Sequence, residues 1–338
     1  MSKIITQIIE CLKSSQKILI GMHTGPDGDA NGSLTGLAHI CVSLDKDVRL
    51  YCQTEVPDDL HWLPKPAPEV QSFQELGAWV PDLLILVDCA TARRAGTEID
   101  IFFAGKRPQG WEHTQSINID HHMDNTHFAD INYVEGVGAT AELIANLAKA
   151  IDLQLKDGLG ESIYLGITSD TGNFTYASTN PGIMRLAAEI VENGLRVPEF
   201  TQKKDNNWSI NKMHFWGELM CKLNHYADGR IVSAVITRKM MNTHNCRASD
   251  LEGFVSFLRQ LRGVDVSLLL REKAGGGSKI SLRSMGGAHS VDVQAIAAVF
   301  GGGGHKSAAG AESDIPIEQV EARVLEVLLP AVNKELLA

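Results

Sequence analysis

The run Leu83-Leu84-Ile85-Leu86-Val87, five apolar residues that stop at Asp88, constrains this chain more than any other feature. It is too short for a helix and has no polar alternation, so it predicts a strand buried on both faces of a sheet. A carboxylate directly after such a strand must be solvated, paired or metal-bound, because burying it alone is very costly. Residues 17–22 (KILIGM), 47–52 and 116–119 read as further strands, and the last ends at a second acid, Asp120. Ile4, Ile5, Ile8, Ile9 and Leu12 recur at helical spacing, and residues 32–44 predict another helix. Strands alternating with helices imply an α/β domain with a mainly parallel sheet and helices on both faces. Polar residues at the strand ends then share one edge, the ligand edge of such sheets.

The chain has 338 residues, more than one core usually supports, so two domains are expected. Helical patterns continue at residues 139–151, 159–168 and 182–192. The polar stretch 196–207, which includes Lys203-Lys204-Asp205-Asn206-Asn207, reads as a linker. Beyond it, strands at 231–237, 264–270 and 279–283 and helices at 249–260, 291–298 and 316–328 predict a smaller α+β unit. The expected division is a catalytic domain at 1–194, a linker with a connecting helix at 195–225, and a substrate-binding domain at 226–338. Against 41 Asp+Glu stand 31 Lys+Arg, a net charge of −10. This argues against extended duplex nucleic acid, whose binders gain affinity from many Lys and Arg contacts to phosphates. It leaves room for a small anionic substrate beside a carboxylate cluster that holds cations. The six cysteines include no Cys-x-x-Cys pair, and no apolar run approaches the ~20 residues of a membrane span, so a cytoplasmic protein without membrane partners is expected.

Chemistry-bearing residues gather where predicted elements end. His23-Thr24-Gly25-Pro26-Asp27-Gly28-Asp29 follows the first strand. In extended backbone Asp27 and Asp29 need not share a direction, so they can serve two neighbouring ions. Taken alone, an Asp/Gly turn explains this segment as well as a metal loop does. Asp88, Asp120-His121-His122 and Asp170-Thr171-Gly172-Asn173-Phe174 follow at later element ends. Each has an innocent reading as a surface charge, a satisfied pair or a helix cap. Their joint placement favours a metal site, and the imidazoles favour Mn, Co, Zn or Fe over Mg alone.

In this order the motifs resemble those of the DHH phosphoesterase superfamily. Ser281-Leu282-Arg283-Ser284, Val291-Asp292-Val293 and Gly301-Gly302-Gly303-Gly304-His305-Lys306-Ser307-Ala308-Ala309-Gly310 resemble its C-terminal DHH-associated domain. The subgroup it looks like is that of nanoRNases, oligoribonucleases and 3′-phosphoadenosine-5′-phosphate (PAP) phosphatases, which also includes cyclic-di-AMP phosphodiesterases. The resemblance implies two divalent ions, Mn2+ first, with Mg2+ or Co2+ as alternatives. One would be held by His23 and Asp27, the other by Asp29, His121 and Asp170, with Asp88 bridging. Asp120 would orient an imidazole and His122 would face the substrate phosphate. Arg283, Ser284, Gly302, Gly303, Gly304 and His305 would bind substrate. Two such ions can activate water at neutral pH and stabilise in-line attack on phosphorus. Cys89 stands where related sequences more often carry a small hydroxyl residue.

Expected substrates are short single-stranded RNA, dinucleotides or PAP, with cyclic-di-AMP as an alternative and a homodimer as the family analogy. A manganese pyrophosphatase would lack the Gly-His-x-x-Ala-Ala-Gly ending, and RecJ-type exonucleases usually carry Asp in place of His23. A catalytically silent nucleotide sensor belongs to another class, and six intact ligand positions weigh against it. The five tryptophans and the remaining histidines, His289 among them, read as packing or surface residues.

Overall fold

The computed structural model describes residues 2–205, 208–251, 253–285 and 290–334. Asn206, Asn207 and His289 lie outside them. The chain divides into two compact units, Met1–Asn207 and Trp208–Ala338.

The first unit is built on six strands: β1 (Lys17–Gly21), β2 (Asp47–Tyr51), β3 (Glu69–Val70), β4 (Leu83–Val87), β5 (Gln115–Asp120) and β6 (Ile131–Val134). They are ordered β3-β2-β1-β4-β5-β6 and every neighbouring pair runs parallel. All five residues of β4 are fully buried, as an unbroken apolar strand requires. The strand order reverses between β1 and β4, which opens a crevice at their carboxyl ends. His23 follows β1 there and Asp88 follows β4.

Helices α1 (Lys3–Ser14), α2 (Gly28–Ser43), α3 (Thr97–Phe103), α4 (Thr140–Ala150), α5 (Asp157–Asp170), α6 (Pro181–Glu192) and α7 (Val197–Asp205) complete the unit. Helix α2 starts four residues earlier than the sequence suggested. The Asp27 carboxylate caps it by accepting from the backbone N–H groups of Asp29 and Ala30, at 3.0 and 3.1 Å. Asp29 therefore sits in a first helical turn, not in extended backbone. Helix α2 is buried along residues 28–38 and crosses α5 with almost no side chain between them. A Cβ at Gly32 would fall 2.4 Å from the Ser162 carbonyl oxygen, and one at Gly166 would fall 2.6 Å from Asp29 Oδ1. The polar stretch read as a linker is largely helix α7. Its single aromatic, Phe200, is buried edge-on to the rings of Trp62 and Tyr164, at 5.3 and 4.9 Å. One well-placed anchor thus ties a hydrophilic helix to the core.

The second unit holds β7 (Asn224–Tyr226), β8 (Ile231–Ile236), β9 (Val266–Glu272), β10 (Ser278–Ser284), β11 (Gly303–His305) and β12 (Ala308–Ser313), in the order β11-β12-β10-β9-β8-β7. Only β8 and β9 pair in parallel among these strands. Its helices are α8 (Ile210–Cys221), α9 (Arg238–Thr243), α10 (Phe254–Phe257), α11 (Val293–Val299) and α12 (Ile317–Lys334). Val320, Val324, Leu328 and Val332 form the buried stripe of α12. The helix predicted at 249–260 is broken into short turns around α10, where Gly253 adopts a left-handed φ of 80°. Part of the glycine run is strand β11. No helix of the described residues is long and apolar enough to cross a membrane, and all six cysteines are free.

Gly32→Ala tests the α2–α5 contact. The new methyl group would meet backbone, so the helices must part. The expected loss is about 1–3 kcal/mol in urea unfolding, together with weaker Mn2+ binding, because the two helices carry Asp29 and Asp170.

Candidate metal centre

At the carboxyl edge of the first sheet the structure brings His23, Asp27, Asp29, Asp88, Asp120, His121, His122 and Asp170 together. Donor atoms of His23, Asp27 and Asp88 lie within 4.8 Å of one another, as do those of Asp29, His121 and Asp170, and those of Asp88, Asp120 and His122. Asp88 connects these groups. Its Oδ2 is 3.5 Å from His23 Nε2, while its Oδ1 is 3.6 Å from His121 Nε2 and 3.7 Å from His122 Nδ1. The backbone of Asp88 turns into the left-handed region, φ 56°, directly after β4. That is an uncommon conformation for a non-glycine residue, and one that Asp tolerates better than most. Its hydroxyl partner is Thr140, which donates to Oδ1 at 3.0 Å.

Helix starts hold two of the acids. Asp27 caps α2, and Asp29 reaches across to the beginning of α4, where it accepts from the N–H groups of Thr140 and Ala141 at 2.6 and 3.0 Å. Ser33 adds a hydroxyl contact at 3.3 Å. These donors face the carboxylates with the positive ends of two helices. Asp170 is the last residue of α5, and its Oδ2 lies 3.2 Å from His121 Nε2.

The histidines are oriented by acceptors. His23 Nδ1 is 3.1 Å from the Thr24 carbonyl and His121 Nδ1 is 3.3 Å from the Val137 carbonyl. A carbonyl can only accept, so Nδ1 carries a proton and Nε2 of each ring faces the acids, where it donates to them in the cationic ring and offers a lone pair to an ion in the neutral one. His122 instead donates from Nδ1 to Asp120 Oδ1 at 2.7 Å. Asn125 secures the other oxygen of Asp120 at 2.6 Å and also donates to Asn118 Oδ1 at 2.7 Å. Asn118 in turn donates to the Leu86 and Cys89 carbonyls. Cys89 itself is fully buried with its thiol directed at the Val87 carbonyl.

Electrostatics show the strain of this crowding. Burial and the neighbouring charges of Asp88 and Asp27 push the Asp29 carboxyl up to about 7. Burial, with Asp29, Asp27, Asp88 and Asp120 nearby, drives Asp170 well above the usual carboxylate range. Burial also opposes ionisation of Asp88, yet the three surrounding imidazoles hold it well below that range. For His122, burial favours the neutral ring, but the Asp120 hydrogen bond and the charges of Asp88, Asp120 and Asp124 push it up to about 9. Buried carboxylates that destabilise one another in this way call for cations. Oxygen donors combined with Nε2 lone pairs fit two divalent transition-metal ions, with Asp88 facing both sets.

In the second unit Arg283 on β10 and His305 on β11 both pair with Ala308 of the strand between them. They therefore stand in one row on one face of the sheet, about 10 Å apart across two strand spacings. Gly302 precedes this row, and Gly303 and Gly304 lie in β11. Ser284 departs from the expected set. Neighbouring residues of a strand point to opposite faces, so Ser284 is fully buried on the core side. Its carbonyl accepts from Arg259 at 3.1 Å. Sequence reasoning missed Asn118, Asn125 and Thr140. A polar side chain inside an apolar strand was a visible signal for Asn118, whereas Asn125 acts through the turn after β5 and Thr140 through contacts across the fold.

Residues 17–167 match the N-terminal domain of the DHH family and residues 228–334 match the DHHA1 domain. The chain is 30% identical over 332 residues to the bifunctional oligoribonuclease and PAP phosphatase NrnA of Thermus thermophilus, covering 97% of this chain and 93% of that protein. An exopolyphosphatase-related protein from Bacteroides fragilis superposes with a TM-score of 0.84 at 28% identity, over 99% of this chain and 98% of its own. RecJ from Thermus thermophilus, crystallised with Mn2+, shares the fold with a TM-score of 0.52 at 15% identity, over 99% of this chain and 58% of RecJ. With both domains matched in order and a relative aligned along nearly its whole length, the chain belongs to the DHH family of phosphoesterases.

Proposed function

We propose that this chain is a two-metal phosphoesterase that shortens very short oligoribonucleotides and removes the 3′-phosphate of PAP. The observation that carries this reading is Asp88, whose two oxygens face two separate sets of donors. NrnA of Thermus thermophilus, named for both activities, supports it.

His23 and Asp27 would hold one ion and Asp29, His121 and Asp170 the other, with Asp88 between them. Mn2+ is the favoured ion because the set mixes imidazole with carboxylate. Bound divalent ions supply the charge that acidifies a water nucleophile and offsets the negative charge growing on the phosphoryl oxygens. Asp120 fixes His122 so that Nε2 is available to the substrate phosphate. In its cationic form His122 donates a hydrogen bond to a non-bridging oxygen or to the leaving group. Arg283 offers its planar fork to a second phosphate, and His305 stands in the same row. Such a fixed row suits a substrate of one or two nucleotides better than a long strand. The second domain is thus assigned to substrate anchoring and the first to chemistry.

Three outcomes check this reading. In a panel of RNA dimers to pentamers, PAP, cyclic-di-AMP and pyrophosphate with Mn2+, short RNA and PAP are turned over fastest, and chelation abolishes both activities. Asp88→Ala leaves the circular dichroism spectrum unchanged but removes turnover, since one substitution disturbs both donor sets. Arg283→Ala raises KM roughly 10–100-fold with a smaller effect on kcat, the loss expected for one charged hydrogen-bonding partner.

A further inference from the structure

Two amides are buried where the acid-bearing strands end. Asn118 is fully buried inside β5, and Asn125, 8% exposed, lies in the turn beyond His122. A buried amide is costly unless its donors and its acceptor are met, and here they are met in a single order. The Asn118 amide nitrogen faces the backbone carbonyls of Leu86 and Cys89 at 3.3 and 3.2 Å, and these can only accept. Its oxygen is therefore the acceptor for the Asn125 nitrogen, 2.7 Å away. Asn125 is fixed in the same sense from its other end, since its Oδ1 accepts from the His127 N–H at 2.7 Å. Its nitrogen is thus turned to three oxygens: Asn118 Oδ1, the Cys89 carbonyl at 3.1 Å and Asp120 Oδ2 at 2.6 Å.

The order continues into the site. Asp120 is wholly buried and accepts on both oxygens, from Asn125 on Oδ2 and from His122 Nδ1 on Oδ1. The His122 side chain is 22% exposed and its ring meets that of His121 edge-on at 4.6 Å, so the bond to Asp120 sets which nitrogen turns away from the interior. Backbone bonds close the same turn. Asn125 N–H donates to the His122 carbonyl at 3.2 Å, and Thr126 N–H donates to the Ala90 carbonyl at 2.9 Å. The Asn125 amide is in this way bonded both to the chain just after Asp88, at Cys89, and to the acid that holds His122.

We infer that Asn125 is a positioning residue for the reaction: acting through Asp120, it holds the His122 ring in place beside Asp88. The assignment rests on the role given to His122 above and deepens it. What counts is the direction of the donors more than the space the side chain fills. Asn125→Asp keeps the shape but puts an oxygen where the amide nitrogen stood, so the order breaks at one link while the surrounding packing stays. Outer partners of this kind are worth roughly 10–100-fold in activity.

The experiment is a double-mutant cycle on an RNA dinucleotide with Mn2+, built from the wild type, Asn125→Asp, His122→Ala and the double variant. Asn125→Asp alone is expected to lower kcat about 10–100-fold with KM nearly unchanged. In the His122→Ala background it lowers kcat by no more than about twofold. Calorimetry finds the same Mn2+ affinity in the wild type and Asn125→Asp, because the residue acts on His122 and not on the donor sets. In the full chain with Mg2+ and 15N-labelled histidine, the Nδ1–H signal of His122 is shifted downfield by its bond to Asp120 and is lost in Asn125→Asp. Asn125→Ala, which removes the donors outright, gives the same pattern and serves in place of Asn125→Asp if circular dichroism shows that variant to be misfolded. Equal losses of kcat in both backgrounds, a fall in Mn2+ affinity that matches the fall in kcat, or an unchanged Nδ1–H signal overturns the positioning role while leaving the proposed function intact. A wild type that turns over neither RNA nor PAP overturns the function, whereas loss of the Nδ1–H signal in the variant still upholds the hold of Asn125 on the His122 ring.

Discussion

Mutual repulsion among buried carboxylates is the constraint around which the first unit is arranged. Asp27, Asp29, Asp88, Asp120 and Asp170 converge on the crevice where the strand order reverses. Asp29, Asp88 and Asp120 are buried, Asp170 is largely covered beside His121, and only Asp27 keeps substantial access to water, so the acids are held by separate devices. Asp27 and Asp29 accept from the N–H groups of helix starts, Asp88 is ringed by imidazoles, and Asp120 is tied to His122 and Asn125. The helices are then packed to suit the acids. Glycines at 32 and 166 allow α2 and α5 to touch at their backbones, which brings the first turn of one helix against the last turn of the other.

The second unit solves a different problem with opposite chemistry. Its sheet presents Arg283 and His305 in register on either side of Ala308, a small residue. Alternation along β10 sends Ser284 to the core and so limits which members of the Ser-Leu-Arg-Ser motif can meet a ligand. The same rule that builds the hydrophobic face sets which residues share the opposite one.

Much of this was legible in the sequence because it rests on local patterns. An unbroken run such as LLILV has one comfortable environment, so β4 and the site at its end could be read directly. The acids after strands and the order of motifs followed from the same reading. Capping was harder to see. Asp27 was read as a member of a loop, yet its carboxylate begins α2 and moves Asp29 into a helix. Helix α7 was hidden because its polar composition outweighs one buried residue, Phe200. Thr140 was invisible for a further reason: its partners Asp29 and Asp88 are distant in sequence, and nothing nearby marks it, while Asn125 meets Asp120 and Asn118 only because the chain turns between them.

Gly166 leads to a consequence for the chain as a whole. Because it presses α5 against Asp29, the folded state without cations forces like charges together at neutral pH, a cost the unfolded chain does not bear. Cations that bind only the folded form repay that cost, and their stabilisation grows with the logarithm of their free concentration. With ions held as proposed, the resistance of this protein to unfolding and proteolysis would be a gauge of the divalent metal around it, and starvation for metal would lower its abundance as well as its activity.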